Sequence, residues 1–146
     1  MNYKEILENA VKAAQKTQND LREIKNSIES LNISIQDFTD GKMHFVISEK
    51  SKNKDIPGSS VLSGVTAAIF ASHMQIPYKA LCFYLPYSNQ EFELAELATS
   101  ESGYPCKITY SNKDVYCANR EEFEQALADL MNTPNAGEIL LEVMPK

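Results

Sequence analysis

The sequence predicts an α+β fold in which helices pack on a mixed β-sheet. Three observations predict this class. Residues 3–31 have the apolar spacing of one long helix, two turn signals separate alternating apolar and polar runs, and two further strands each follow a helix. We therefore expect a long N-terminal helix and a sheet built from two hairpins and two helix-linked strands. The length of 146 residues suits a single domain spanning residues 1–146.

The N-terminal helix carries a heptad repeat, which we call the seam. Its members recur every seven positions, and a second set follows three positions after the first: Leu7, Ala14, Leu21 and Ile28, then Ala10, Thr17, Ile24 and Leu31. Such a seam either packs on the helix's own domain or pairs with a second helix. The polar residues around Asn19 also allow a kink in the helix at that point.

We expect the seam to mediate self-association, because a helix over residues 3–31 is roughly 43 Å long and overhangs a small domain. The predicted assembly is a homo-oligomer, specifically a dimer. The predicted oligomer interface consists of Leu7, Leu21, Ile24 and Ile28. The alternative, in which the whole helix packs on its own domain, stays open.

Residues 32–48 predict the first hairpin. Ile33 and Ile35 alternate with polar residues, and Asp40-Gly41 then marks a turn before a second alternating run that includes Phe45 and Ile47. Asp and Gly tolerate the positive φ that a tight hairpin turn requires. The pattern therefore predicts two strands joined at Asp40-Gly41.

The middle of the chain predicts a buried helix followed by a buried strand. The helix begins at Ser59 or Ser60, ends near Met74, and is apolar or small on nearly every side. The strand spans residues 79–87 and is apolar on both faces, which indicates an interior position in the sheet. The remaining elements have to pack around these two.

Four further elements are predicted after residue 88. Residues 89–100 have the pattern of a short acidic helix anchored by apolar residues. A second hairpin joins residues 106–110 to 115–119, and it could place Cys106 opposite Cys117. Asn119 caps a helix over residues 120–131, with Glu122 completing a capping box. A terminal strand over residues 138–144 closes the chain.

The charge balance argues against two classes of partner. The chain has 14 basic and 20 acidic residues and a net charge of −6. General nucleic-acid binding and attachment to an anionic membrane both require a cluster of Lys and Arg, so we expect neither. No apolar run reaches the ~20 residues that span a bilayer. Three scattered cysteines favour a reduced, cytoplasmic location.

One stretch suggests a small anionic ligand. Pro57-Gly58-Ser59-Ser60 precedes the buried helix, and helix N-termini present free N–H groups that bind anions. Ordinary N-capping by serine explains the same residues. The polar and aromatic end of the following strand could hold a planar group. The candidate ligand-binding residues are Gly58, Ser59, Ser60, Ser63, Phe83, Tyr87, Asn89 and Arg120.

No catalytic, metal or cofactor site is predicted. Cys82, Cys106 and Cys117 lack the spacing of a redox or nucleophile motif, and His44 and His73 do not form a ligand pattern. We therefore expect a non-enzymatic, self-associating binding or regulatory protein that acts through protein–protein interaction, with itself and another protein as partners. The alternative is a binder of a small phosphorylated or nucleotide-like ligand. A small enzyme is the third hypothesis.

Overall fold

The computed structural model describes residues 1–53 and 75–144, and within them it contains three helices and five strands. In chain order the elements are α1 (Tyr3–Phe38), β1 (His44–Asn53), β2 (Gln75–Leu85), β3 (Gln90–Ser100), β4 (Gly103–Tyr110), β5 (Lys113–Cys117), α2 (Arg120–Met131) and α3 (Pro134–Val143). The α+β class and the long N-terminal helix are confirmed. The helix predicted from Ser59 or Ser60 to Met74 lies outside the described residues.

The five described strands form one open sheet in the order β1-β2-β3-β4-β5, and every neighbouring pair is antiparallel. The prediction of a mixed sheet was therefore wrong. It assumed that helices connect some of the strands, whereas β2 to β5 follow one another through tight turns. The predicted interior strand is confirmed as β2, which is buried on both faces from Ala80 to Phe83.

The acidic helix predicted over residues 89–100 is wrong, because this segment forms β3. The register of β3 against β2 shifts between Leu81 and Cys82, so Leu94 has no partner in the ladder. A bulge of this kind moves the buried side chains from one alternating set to the other. The buried positions Leu94, Ala95 and Leu97 consequently imitate helical spacing in the sequence.

The hairpin predicted over residues 32–48 is only half present. α1 continues to Phe38, and Ile35 is buried one helical turn beyond Leu31 while Ile33 faces solvent. Asp40 and Gly41 do adopt positive φ values of 52° and 78°, as the turn required. They join α1 to β1, so the turn was predicted correctly and the first strand was not.

The C-terminal elements are correct except for the last. Ser111 and Asn112, both with positive φ, connect β4 to β5 and place Cys106 opposite Cys117. The Asn119 side chain accepts a 2.9 Å hydrogen bond from the Glu122 N–H and caps α2. The strand predicted over residues 138–144 is instead part of α3, because its apolar residues continue the helical spacing of Ala136.

The core lies between one face of the sheet and the helices. Phe45 and Phe83 meet edge to face on neighbouring strands, and Ile24 and Ile28 of α1 belong to the same buried cluster. The buried stripe of α2 completes it, with Phe123 fully enclosed. None of the helices in the described part of the chain is long and apolar enough to cross a membrane.

Gly103 is a point of close approach between the sheet and α1. It begins β4 with φ +91°, and a Cβ built on it would lie 3.1 Å from the Asp20 Cβ and 3.3 Å from the Leu21 nitrogen. Both the backbone conformation and the space therefore require glycine. This contact lies at the first buried residue of α1, which is Asp20.

We expect Gly103→Ala to lower the free energy of unfolding by about 1–3 kcal/mol, because it combines a strained φ with a clash against helix backbone. Gly137→Ala is the matched control. It lies within α3 with nothing within 4 Å of the added Cβ, so alanine should raise stability by up to about 1 kcal/mol. Urea unfolding of the two variants checks this pair. A Gly103→Ala variant as stable as the wild type would contradict the close contact.

Candidate functional site

The first half of α1 extends beyond the rest of the described structure, and we call residues 1–19 the overhang. All of its residues are exposed except Thr17, which is half-buried. Its large apolar side chains lie mainly on one side of the helix and are well exposed: Tyr3 by 69%, Ile6 by 49%, Leu7 by 65% and Val11 by 57%. A contiguous exposed apolar surface of this kind is typical of an interaction site.

The predicted oligomer interface divides at the base of the overhang. Leu7 lies on the overhang, and Leu21, at its base, is 38% exposed. Ile24 and Ile28 are almost fully buried in the chain's own core. The seam therefore continues from a free segment into a segment that the sheet already covers. Self-association itself stays a prediction.

Two polar contacts lie at the base of the overhang, one within α1 and one between α1 and β4. The Lys16 ammonium lies 2.7 Å from the Asp20 carboxylate one turn along α1. The Tyr104 hydroxyl donates a 3.4 Å hydrogen bond to Glu23. Burial, and then the Glu23 charge, raises the pKa of Tyr104 to about 12. The overhang therefore begins at a well-packed junction between α1 and the start of β4.

The predicted ligand-binding residues do not come together among the described elements. Gly58, Ser59, Ser60 and Ser63 lie outside the described residues. Phe83 is fully buried and faces Phe45 in the core, where a ligand cannot reach it.

Three predicted ligand residues lie at opposite ends of the sheet. Tyr87 and Asn89 lie in the exposed turn between β2 and β3, where the Tyr84 hydroxyl donates a 2.8 Å hydrogen bond to the Asn89 side chain. Arg120 follows β5, whose Cys117 is level with the far end of β3. The Arg120 Nε donates a 2.9 Å hydrogen bond to Glu124. One ligand cannot touch both ends.

The outer face of the sheet, opposite the helices, carries a row of ion pairs. Lys50 on β1 lies 3.1 Å from Glu91 and 3.8 Å from Glu93, both on β3. Lys52 lies 2.9 Å from Glu96 on the same strand. In the sequence these glutamates have the pattern of a solvated helix face. In the fold these glutamates lie near lysines of β1, and the sequence did not predict this because residues 89–100 had the pattern of a helix.

Cys82 lies fully buried beneath this row. Burial, and then the Glu91 charge, raises the pKa of its thiol to about 11. The Ser48 hydroxyl and then Lys50 lower the pKa of Glu91. Burial, together with the Glu91 charge, therefore keeps the thiol protonated, which is the opposite of what a nucleophilic cysteine needs.

The other candidate catalytic groups are similarly placed. Cys106 and Cys117 face each other in the core, and burial raises the pKa of both thiols, that of Cys106 to about 12. His44 contacts Tyr84 edge to face with ring centroids 6.5 Å apart, and His73 lies outside the described residues. Over residues 1–53 and 75–144, no three His, Cys, Asp or Glu side chains group as a metal site.

Comparisons with known proteins add no further constraint. No protein-family model, curated protein or solved structure matches this chain. We therefore take the overhang as the candidate functional site of the described structure.

We expect Cys82, Cys106 and Cys117 to be unreactive in the folded protein. A disulfide reagent at pH 8 should modify them only after unfolding, because all three are buried and their pKa values are raised. Counting modified thiols with and without denaturant checks this. A native thiol that reacted as fast as free cysteine would support the enzyme hypothesis instead.

We also expect stability to fall as the pH rises from about 9 to 11. The thiols of the unfolded chain ionise near the ordinary cysteine pKa of 9.0, while the folded Cys82 thiol, whose pKa is about 11, stays protonated. In this pH window the unfolded state therefore binds fewer protons than the folded state. For each thiol, every unit by which the folded pKa exceeds the unfolded pKa costs about 1.4 kcal/mol of stability at high pH. Thermal unfolding across this range measures the effect, with Cys82→Ala showing a shallower decline. A flat profile would rule out the buried, protonated thiols.

Proposed function

We propose that this protein is a non-enzymatic binding protein that self-associates as a dimer and acts through protein–protein contacts. One observation carries the proposal: the helical part of the overhang presents four large apolar side chains, including Leu7 and Val11, that the described chain does not cover. Fully burying one such side chain is worth roughly 1.5–3 kcal/mol, so a partner that covers the overhang gains several times that amount.

A second copy of the chain fits this surface well. The overhang carries a heptad seam, and two such seams are complementary because large residues of one helix enter the spaces beside small residues of the other. Ala10 and Ala14 lie at the middle of the exposed seam and allow two helices to approach closely. A symmetric dimer uses the same patch on both copies, so one seam supplies both halves of the interface.

A dimer formed in this way leaves the rest of the protein free to bind another protein. The overhang lies on the N-terminal side of Asp20, whereas the sheet and α2 pack on the later part of α1, and α3 packs on α2. We therefore propose that the overhang assembles two copies and that the packed domains present further binding surfaces. The acidic net charge of −6 favours a partner with a basic surface.

Replacing Leu7 with glutamate should weaken the dimer by on the order of 100-fold, because the substitution places a charge in the seam of both copies. Asn9→Glu is the matched control. It adds the same charge on the same helix at an exposed residue outside the seam, and it should leave the dissociation constant nearly unchanged. Native mass spectrometry and sedimentation over a concentration series measure both variants.

The same experiment separates the hypotheses. A wild-type protein that stays monomeric at every concentration would remove the proposal. Equal weakening by Leu7→Glu and Asn9→Glu would move the interface away from the seam. A small molecule retained under gentle conditions and lost on denaturation would favour the binder of a phosphorylated or nucleotide-like ligand.

A further inference from the structure

We propose that the two copies pair through their overhangs in antiparallel orientation, with the midpoint of the pair level with Lys12. This inference rests on the proposed self-association and goes beyond it by fixing the orientation and register. It follows from which part of the seam the chain already buries and from the heptad spacing along the overhang.

The seam is one continuous surface whose two halves have different surroundings. Ile24 and Ile28 are 4% and 6% exposed, because the sheet lies against that side of α1. Leu7, on the same seam, is 65% exposed. A partner helix on the exposed half would therefore lie on the same side of α1 as the chain's own sheet.

This arrangement excludes a parallel pair. In a parallel dimer the two seams stay in contact along their whole length, so the partner helix would run beside Ile24 and Ile28. The sheet, with Phe45 and Phe83, already fills that space. The sheets of both copies would also have to occupy the region between the two helices.

An antiparallel pair avoids the conflict. The partner helix ends level with the base of the first copy's overhang. The partner's sheet and C-terminal helices lie beyond the other end of the pair. The contact is thereby limited to residues 3–21, a length of roughly 28 Å. Leu21 marks the limit of the contact, and its 38% exposure agrees with a position at the edge of both surfaces.

The heptad spacing then sets the register. In each layer of this register, a residue from one heptad set of the seam faces a residue from the other set. Larger residues lie at the ends and alanines at the centre. The layers pair Tyr3 with Leu21, Leu7 with Thr17, and Ala10 with Ala14. The two central alanine layers allow close approach.

Two single-cysteine substitutions test the orientation. Ala13 lies on one flank of the seam. An antiparallel pair brings the Ala13 residues of the two copies side by side, whereas a parallel pair places them on opposite sides of the interface. Thr17 behaves in the opposite way. It meets its counterpart across the seam of a parallel pair, but in the proposed register it faces Leu7 and lies ten residues, roughly 15 Å, from its counterpart.

Each variant is treated in its dimeric state with a short bifunctional maleimide, and the wild type serves as the control because its three thiols are buried. We expect Ala13→Cys to cross-link at least about tenfold faster than Thr17→Cys, given the difference in distance. Faster cross-linking of Thr17→Cys, equal rates, or no cross-linking in a confirmed dimer would overturn the antiparallel register and leave self-association intact. A monomeric wild type would overturn the proposed function itself.

Discussion

The packing of α1 against one face of the sheet is the contact on which the rest of the structure depends. The buried side chains Ile24, Ile28 and Ile35 fix the second half of the helix over β1 and the core, and α2 packs beside it. The 36-residue helix is roughly 54 Å long, whereas the strands contain at most 11 residues and span roughly 36 Å. A helix this much longer than the strands it packs on cannot be covered by them from end to end.

The outer face of the sheet also has to bury apolar side chains. β2 is an interior strand, and its outward residues Ala80 and Cys82 are as fully buried as the inward Leu81 and Phe83. Long charged side chains from β1 and β3 cross above them, and pairing between Lys50 and Glu91 lets these side chains lie flat. The ion pairs and the raised pKa of the Cys82 thiol therefore have one structural cause and require no catalytic role.

The sequence predicted the elements whose local signals agree with their tertiary packing. α2 has a cap, a capping-box glutamate and a regular apolar stripe, and the hairpin from β4 to β5 has turn residues that accept positive φ. Predictions failed where local patterns were ambiguous. The bulge at Leu94 gave a strand helical spacing, and Ile33 and Ile35 alternated within a helix because only Ile35 faces the core.

The candidate functional surface was predictable only in part, for a related physical reason. The heptad repeat identified the seam and the overhanging length of the helix, but a repeat has the same pattern whether its partner is a sheet or another helix. The sheet that buries Ile24 is formed by residues far along the chain, so no local signal divides the seam near Leu21.

That division gives the overhang its proposed role. The exposed half of α1 is held by a buried half in the same continuous helix, so its side chains are already arranged for a partner. Binding then costs less ordering entropy than it would for a flexible segment. The same buried half also limits the partner, because the sheet beside Ile24 blocks any helix that continues along the seam. The packing of α1 therefore both creates the free surface and restricts the orientation in which the proposed second copy can use it.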